Sequence, residues 1–166
     1  MKNLFRLILL AAVAVAGVWL WTILFPGPEK IIRHRLAEIA RLASFNGNEN
    51  PLAALGGAQK LAGYCSPGLH VKLDAPANVE HTFESRQEIT QALLAARAAF
   101  GGTLNVEFVD VLVTVAPDKQ SAEADLTARM QSAGSSEINV QEIKFTLKKV
   151  DGQWLVTRAE TVRTFS

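Results

Sequence analysis

Residues 104–165, LNVEFVDVLVTVAPDKQSAEADLTARMQSAGSSEINVQEIKFTLKKVDGQWLVTRAETVRTF, set the architecture to which the other segments must conform. They read as four consecutive strands, 104–116, 122–131, 138–150 and 154–165. Turn chemistry stands at each join: Pro117-Asp118-Lys119, Ala133-Gly134-Ser135-Ser136 and Asp151-Gly152. The last is a two-residue hairpin signal, because such turns need positive φ and glycine adopts it at little cost. Long strands joined by short turns form an antiparallel meander, which twists and must bury one face.

The side-chain patterns sharpen this. Ala122, Ala124, Leu126, Ala128 and Met130 share one face of their strand and Glu123, Asp125, Thr127, Arg129 and Gln131 the other, so this strand has a covered and a wet side. Residues 106–115 are apolar on both faces, Val109, Val111, Val113 and Val115 opposing Phe108 and Leu112. That predicts cover on both sides, with a homodimer formed through the sheet face. In the third strand the apolar parity passes from Ile138 and Val140 to Ile143, Phe145 and Leu147, which predicts a bulge near Gln141–Glu142 that bends the sheet.

Working back to the N-terminus, Leu7 to Phe25 is uncharged and almost wholly apolar. About 19 residues at ~1.5 Å each approach the thickness of a bilayer's hydrocarbon core. Trp19 and Trp21 suit its interface, and no small-residue cleavage site follows the run. The expectation is an uncleaved single-pass anchor over residues 1–28 and one domain over 29–166. With the N-terminus inside, that domain lies outside the cytoplasm, as in a bacterial inner membrane. Setting aside the first 28 residues, which hold Lys2 and Arg6 and no acid, leaves 15 basic and 16 acidic side chains. Such a balance argues against nucleic acid as a partner. The single cysteine, Cys65, excludes an intrachain disulfide. His34, His70 and His81 have no ligand spacing, so neither a metal nor another cofactor is expected.

Pro28 opens a helix whose apolar stripe is Ile32, Leu36, Ile39 and Ala43; Arg33 and Arg35 on its other side would meet headgroups if the domain were cytoplasmic. Asn50-Pro51 starts a second helix, Ser66-Pro67-Gly68 makes a turn, and 69–75 and 79–83 read as short strands. Ser85-Arg86-Gln87-Glu88 is a capping box opening a third helix with Ile89, Ala92, Leu93, Ala96 and Phe100 on one face, stopped by Gly101-Gly102.

The order helix, helix, two short strands, helix, four long strands resembles the nuclear transport factor two-like (SnoaL-like, cystatin-like) superfamily, an α+β cone of three helices on a strongly curved antiparallel sheet. The local cues are Phe83-Glu84-Ser85-Arg86-Gln87-Glu88-Ile89 and Asp151-Gly152-Gln153-Trp154-Leu155-Val156. Ser85 replaces a frequent glycine of that step and caps the helix instead. The resemblance implies that Tyr64, Asp74, His81 and Trp154 lie near a pocket. It also implies acid–base chemistry of the ketosteroid isomerase or scytalone dehydratase kind as one use of such a pocket. In layout the chain is similar to a bitopic component of type IV secretion machinery.

From the residues themselves, Arg158 and Glu160 share the apolar parity of Trp154, Val156 and Val162. They are candidates for an anion anchor and a base inside a pocket, against the alternatives of a plain ion pair or a parity change at a bulge. Asp110, between Phe108 and Leu112, is a second candidate base. No phosphate loop, nucleophile elbow or Cys/His spacing is present. The pattern therefore favours a membrane-anchored, non-catalytic module that binds an apolar ligand or another protein, with the small-molecule enzyme as the alternative.

Overall fold

A computed structural model describes residues 15, 26–73, 79–134 and 136–162. Within these, three helices and six strands follow one another as α1 (Pro28–Ala43), α2 (Pro51–Gly63), β1 (Cys65–Leu73), β2 (Val79–Phe83), α3 (Arg86–Phe100), β3 (Leu104–Val115), β4 (Ser121–Ser132), β5 (Ile138–Val150) and β6 (Gln153–Thr161). The strands form one sheet in the order β2-β1-β6-β5-β4-β3, antiparallel throughout except where β1 runs parallel to β6. The α+β architecture expected from the sequence is thus present. Among the described residues no helix is long and apolar enough to cross a membrane, and the expected anchor, Leu7 to Phe25, lies outside them apart from Val15.

The helix starts follow local chemistry. Pro28 and Pro51 stand at first-turn positions, where a missing N–H costs nothing, and the Asn50 side chain accepts from the Leu52 N–H at 2.9 Å. The Ser85 hydroxyl accepts from the Glu88 N–H at 3.2 Å while the Glu88 carboxylate accepts from the Glu84 N–H at 2.8 Å. Asp151 and Gly152 both have positive φ, the geometry of the tight hairpin joining β5 to β6.

The core lies between the helices and the inner face of the sheet. Ile32, Leu36, Ile39 and Leu42 of α1 meet Ala124, Leu126, Leu147, Trp154 and Val156. α1 packs along β3, and α3 touches the sheet through β1 and β2. The side edge of β3 is closed by the chain leaving α1. Phe45 exchanges two backbone hydrogen bonds with Leu104, and the Ser44 hydroxyl accepts from the Val106 N–H at 2.9 Å.

Several strand expectations change in detail, and the cause is where the bulges fall. β4 and β5 stay in unbroken register from Gln131↔Ile138 to Ser121↔Lys148, so the bulge expected near Gln141–Glu142 is absent. Ile138 and Val140 simply face outward, more than half exposed. The irregularity sits in β3 instead, between Val109 and Leu112. There Asp110 takes φ 53° and returns Val111 to the inner face. The valine stripe therefore does not form a second exposed face: Val113 is buried, Val111 and Val115 pack on the core with Phe108, and Val109 and Leu112 point out. Another bulge separates the Leu147↔Val156 and Thr146↔Arg158 pairs, with Thr157 as the extra residue. Ser66-Pro67-Gly68 lies inside β1, with Gly68 at φ 80° where the pairing to β6 shifts.

Candidate functional site

Register fixes which side chains line the inside of the sheet. One row crosses all six strands: Val113, Ala124, Phe145, Ala159, Val71, His81. Away from the β5–β6 hairpin the next inward positions are Leu126 and Ile143, then Phe108, Ala128 and Gln141, then Val106, Met130 and Asn139. Side chains grow less covered along this direction. Phe145 is buried, Ile143 and Gln141 are half-buried, and Asn139 is exposed. At this open end a cleft of about 550 Å³ is lined by Phe100 from the end of α3 and by Leu104, Met130, Ser132, Glu137, Ile138 and Asn139. The volume suits a small organic ligand.

At the other end of α3, His81 Nε2 lies 3.0 Å from Glu88 Oε1, and the imidazole meets the Phe83 ring edge-on at 4.5 Å between centroids. The hydrogen bond from His81, then that from the Glu84 N–H, holds the Glu88 carboxyl below its usual range. Both side chains are well exposed. The pair can relay a proton, but Glu88 is also the residue that closes the capping box.

The other sequence-derived candidates fall elsewhere. The Thr157 bulge turns Arg158 and Glu160 to the outer face, where they bond each other at 2.6 Å beside Lys144 and Thr146, so they do not share the inner side with Val156. Asp110 is exposed at the β3 bulge and is not among the residues that line the cleft. Trp154 is 2 % exposed, a core residue whose carbonyl accepts from Arg35 Nη1 at 2.5 Å. Tyr64 ends α2, half-buried, with the Arg35 guanidinium 5.0 Å over its ring. Asp74 lies outside the described residues. Arg33 donates to the Val111 carbonyl, so both arginines expected to face headgroups clasp the domain's own backbone. Cys65 is buried, which pushes its thiol pKa up to about 11. Among the described residues no cluster of three or more metal-ligating side chains occurs.

No family model matches the chain, and no curated protein matches it. Solved structures do. An NTF2-like protein of unknown function from Pseudomonas putida superposes with a TM-score of 0.61 at 13 % identity, over 81 % of this chain and 85 % of that one. A putative scytalone dehydratase from Novosphingobium aromaticivorans gives 0.57 at 14 %, over 82 % and 84 %. The protein Aln2 from a Streptomyces species gives 0.60 at 19 %, over 84 % and 94 %. The fold is NTF2-like. At these identities the likeness extends to the fold alone.

Within the NTF2-like frame, the sequence reasoning missed the two amides at the open end, Asn139 and Gln141. The signal was available. Ile143, Phe145 and Leu147 set the inward parity of β5, and without a bulge the same parity runs on through Gln141 and Asn139. A second cleft of about 600 Å³ opens among Phe45, Glu49, Leu55, Leu94 and Ala98 around Arg97. That arginine is already engaged by the Leu42 carbonyl at 2.6 Å, the Ala54 carbonyl at 3.1 Å and Glu49 at 3.3 Å, and it ties the three helices together.

Proposed function

We propose that this chain is a membrane-anchored, non-catalytic binding module that takes an apolar small molecule at the open end of the NTF2-like cup. The observation that carries the reading is the lining: Phe100, Leu104 and Met130 surround a cleft of about 550 Å³, and the inward rows behind it are aliphatic, aromatic or amide. Such a surface gains affinity from buried area, at ~25 cal/mol per Å² of apolar surface. The candidate acids and bases Asp110, Arg158 and Glu160 stand on the outside of the sheet, away from this lining. The anchor is the apolar run Leu7 to Phe25, with the domain outside the cytoplasm.

Native mass spectrometry of the full chain, released from detergent, tests the reading. The expected spectrum shows a bound apolar molecule that Met130→Trp, which fills the cleft, displaces. A chain that takes up no apolar probe at any concentration overturns the proposal. For the anchor, a reporter active only outside the cytoplasm, fused after Ser166, is expected to be active.

One observation favours acid–base catalysis as a second reading: the His81–Glu88 pair on the helix side of the sheet edge. Turnover of any cup ligand that is lost in His81→Ala and kept in Met130→Leu would support it.

A further inference from the structure

The outward side of the helix layer is poor in charge. α2 holds a single charged residue, Lys60, and its outward stripe is Leu52, Leu55 and Gln59, with Leu52 78 % exposed. The matching stripe on α3 is Gln91, Leu94 and Ala98. The two stripes line one groove, because clefts of about 600 Å³ and about 540 Å³ meet at Leu55 and Leu94, which line both. The charged side chains along it stand at its ends, Arg97 tied to Glu49 at one and Arg86 at the other. A surface helix ordinarily turns charged side chains to water, and an apolar stripe shared by two neighbouring helices marks a docking surface. The charge of the domain is divided in a way that bears on the partner. Residues 28–63 and 86–100, which hold the helices, carry seven basic and four acidic side chains, whereas 64–85 and 101–166, which hold the sheet, carry eight and twelve. Arg41 and Lys60 share one carboxylate, Glu38, and both are exposed, as is Arg86.

Resting on the reading that Leu7 to Phe25 is an anchor, we infer that the helix layer lies down on the bilayer that holds it. Leu52 and Leu55 enter the acyl boundary, and Arg41, Lys60 and Arg86 meet anionic phospholipid headgroups. The link is short: the apolar run ends at Phe25 and α1 opens at Pro28, three Cα steps that span about 10 Å when extended. Pro28 cannot donate to a helix running on from the anchor, so the chain is free to turn there and lay α1 along the membrane. α2 then lies along it too, since the helices are antiparallel, with Lys60 on Glu38 at 3.3 Å and the Arg35 guanidinium 5.0 Å over the Tyr64 ring. The division of charge chooses the side, because an anionic surface draws the basic helix layer and repels the acidic sheet. Tethering makes the contact intramolecular, so a patch too small to hold a free domain on a vesicle suffices. A second copy of the chain is disfavoured as the occupant, because a twofold contact here sets one basic layer against another.

The test places nitroxide spin labels on the full chain in lipid nanodiscs and compares their collisions with oxygen, which concentrates in lipid, and with a water-soluble nickel complex. Labels go on Leu52→Cys of α2 and Ala95→Cys of α3, both exposed, on Thr114→Cys of the outer sheet face as the solvated control, and on Val15→Cys to report the anchor. Cys65 is buried with its thiol pushed up to about 11, so it stays unlabelled, which wild type treated in parallel checks. In discs containing phosphatidylglycerol, nickel collisions at 52 and 95 are expected to fall about fivefold below those at 114, as for a helix seated in the headgroup layer. In pure phosphatidylcholine, or at high salt, that protection should weaken. Labels at 52 and 95 as open to nickel as 114, with Val15 in lipid, overturn the inference and leave the anchor standing. Protection equally strong in pure phosphatidylcholine overturns the choice of an anionic surface. Label–label broadening at 52 that dilution with unlabelled chain removes assigns the face to a second copy instead. A label at Val15 open to nickel removes the anchor reading and this inference together.

Discussion

Asp110 holds a left-handed backbone, φ 53°, in the middle of a twelve-residue strand. Aspartate tolerates this conformation better than most residues because its short carboxylate can bond locally, whereas a β-branched side chain clashes there. The bulge it makes decides where Val111 and Val113 point, so the role of Asp110 is to aim neighbouring side chains. Asp110→Val should cost about 1–2 kcal/mol in urea unfolding. Asp110→Gly should fold without loss, and its cup should bind as wild type does. A glycine variant that loses ligand binding while keeping its melting temperature would return Asp110 to the list of site residues. The sequence around it reads as plain alternation, which sets the valines opposite Phe108, whereas the bulge brings Val111, Val113 and Val115 to the same side as Phe108.

The element with the most explicit sequence signal is α3, and its start can be tested in isolation. Ser85→Ala removes the acceptor for the Glu88 N–H and should cost about 1 kcal/mol. Its pH dependence follows from Glu88. The folded carboxyl is held below its ordinary value of 4.5, first by the His81 hydrogen bond and then by the Glu84 N–H. A depressed carboxyl contributes stability that is fully present above the unfolded value and is lost as the pH falls through the folded one. On α1, Glu38 behaves in the same sense, its pKa lowered to about 2 by hydrogen bonds from Arg41 and then Lys60. Thermal melts between about pH 2 and pH 6 should show a shallower acid limb for Glu88→Gln than for wild type, and a limb as steep as wild type would remove this account. Caps, hairpin turns and helix faces were legible because each is local chemistry within four residues. The bulges at Asp110 and Thr157 were not, since which extra residue a strand loops out is settled by packing against strands far along the chain. The same blindness moved Arg158 and Glu160 from the cup to the outer face, and hid Gln141 on the inner one.

For the molecule as a whole, the open question on the outside of the sheet is what meets it. Of the valines that suggested a sheet-to-sheet homodimer, Val111, Val113 and Val115 are turned inward, but the outer face keeps Leu112 at 60 % exposure, Val140 at 57 % and Ile138 at 54 %. Between them run Asp125 and Arg129, the Glu123–Lys144 pair at 2.8 Å and the Arg158–Glu160 pair. A mixed face of this kind is self-complementary in charge: a twofold copy can set acids against bases while the apolar side chains meet near the axis. The expected homodimer is weak, because each charged row must shed water to form it. Leu112→Lys should abolish association in sedimentation at high protein concentration and leave the melting temperature within a degree or so of wild type, as its side chain is exposed. Val113→Lys, one residue on, places an ammonium in the core and should unfold the domain. A wild-type chain that sediments as a monomer at every concentration would leave the outer face solvated, and the charged rows would then serve to keep sheets apart.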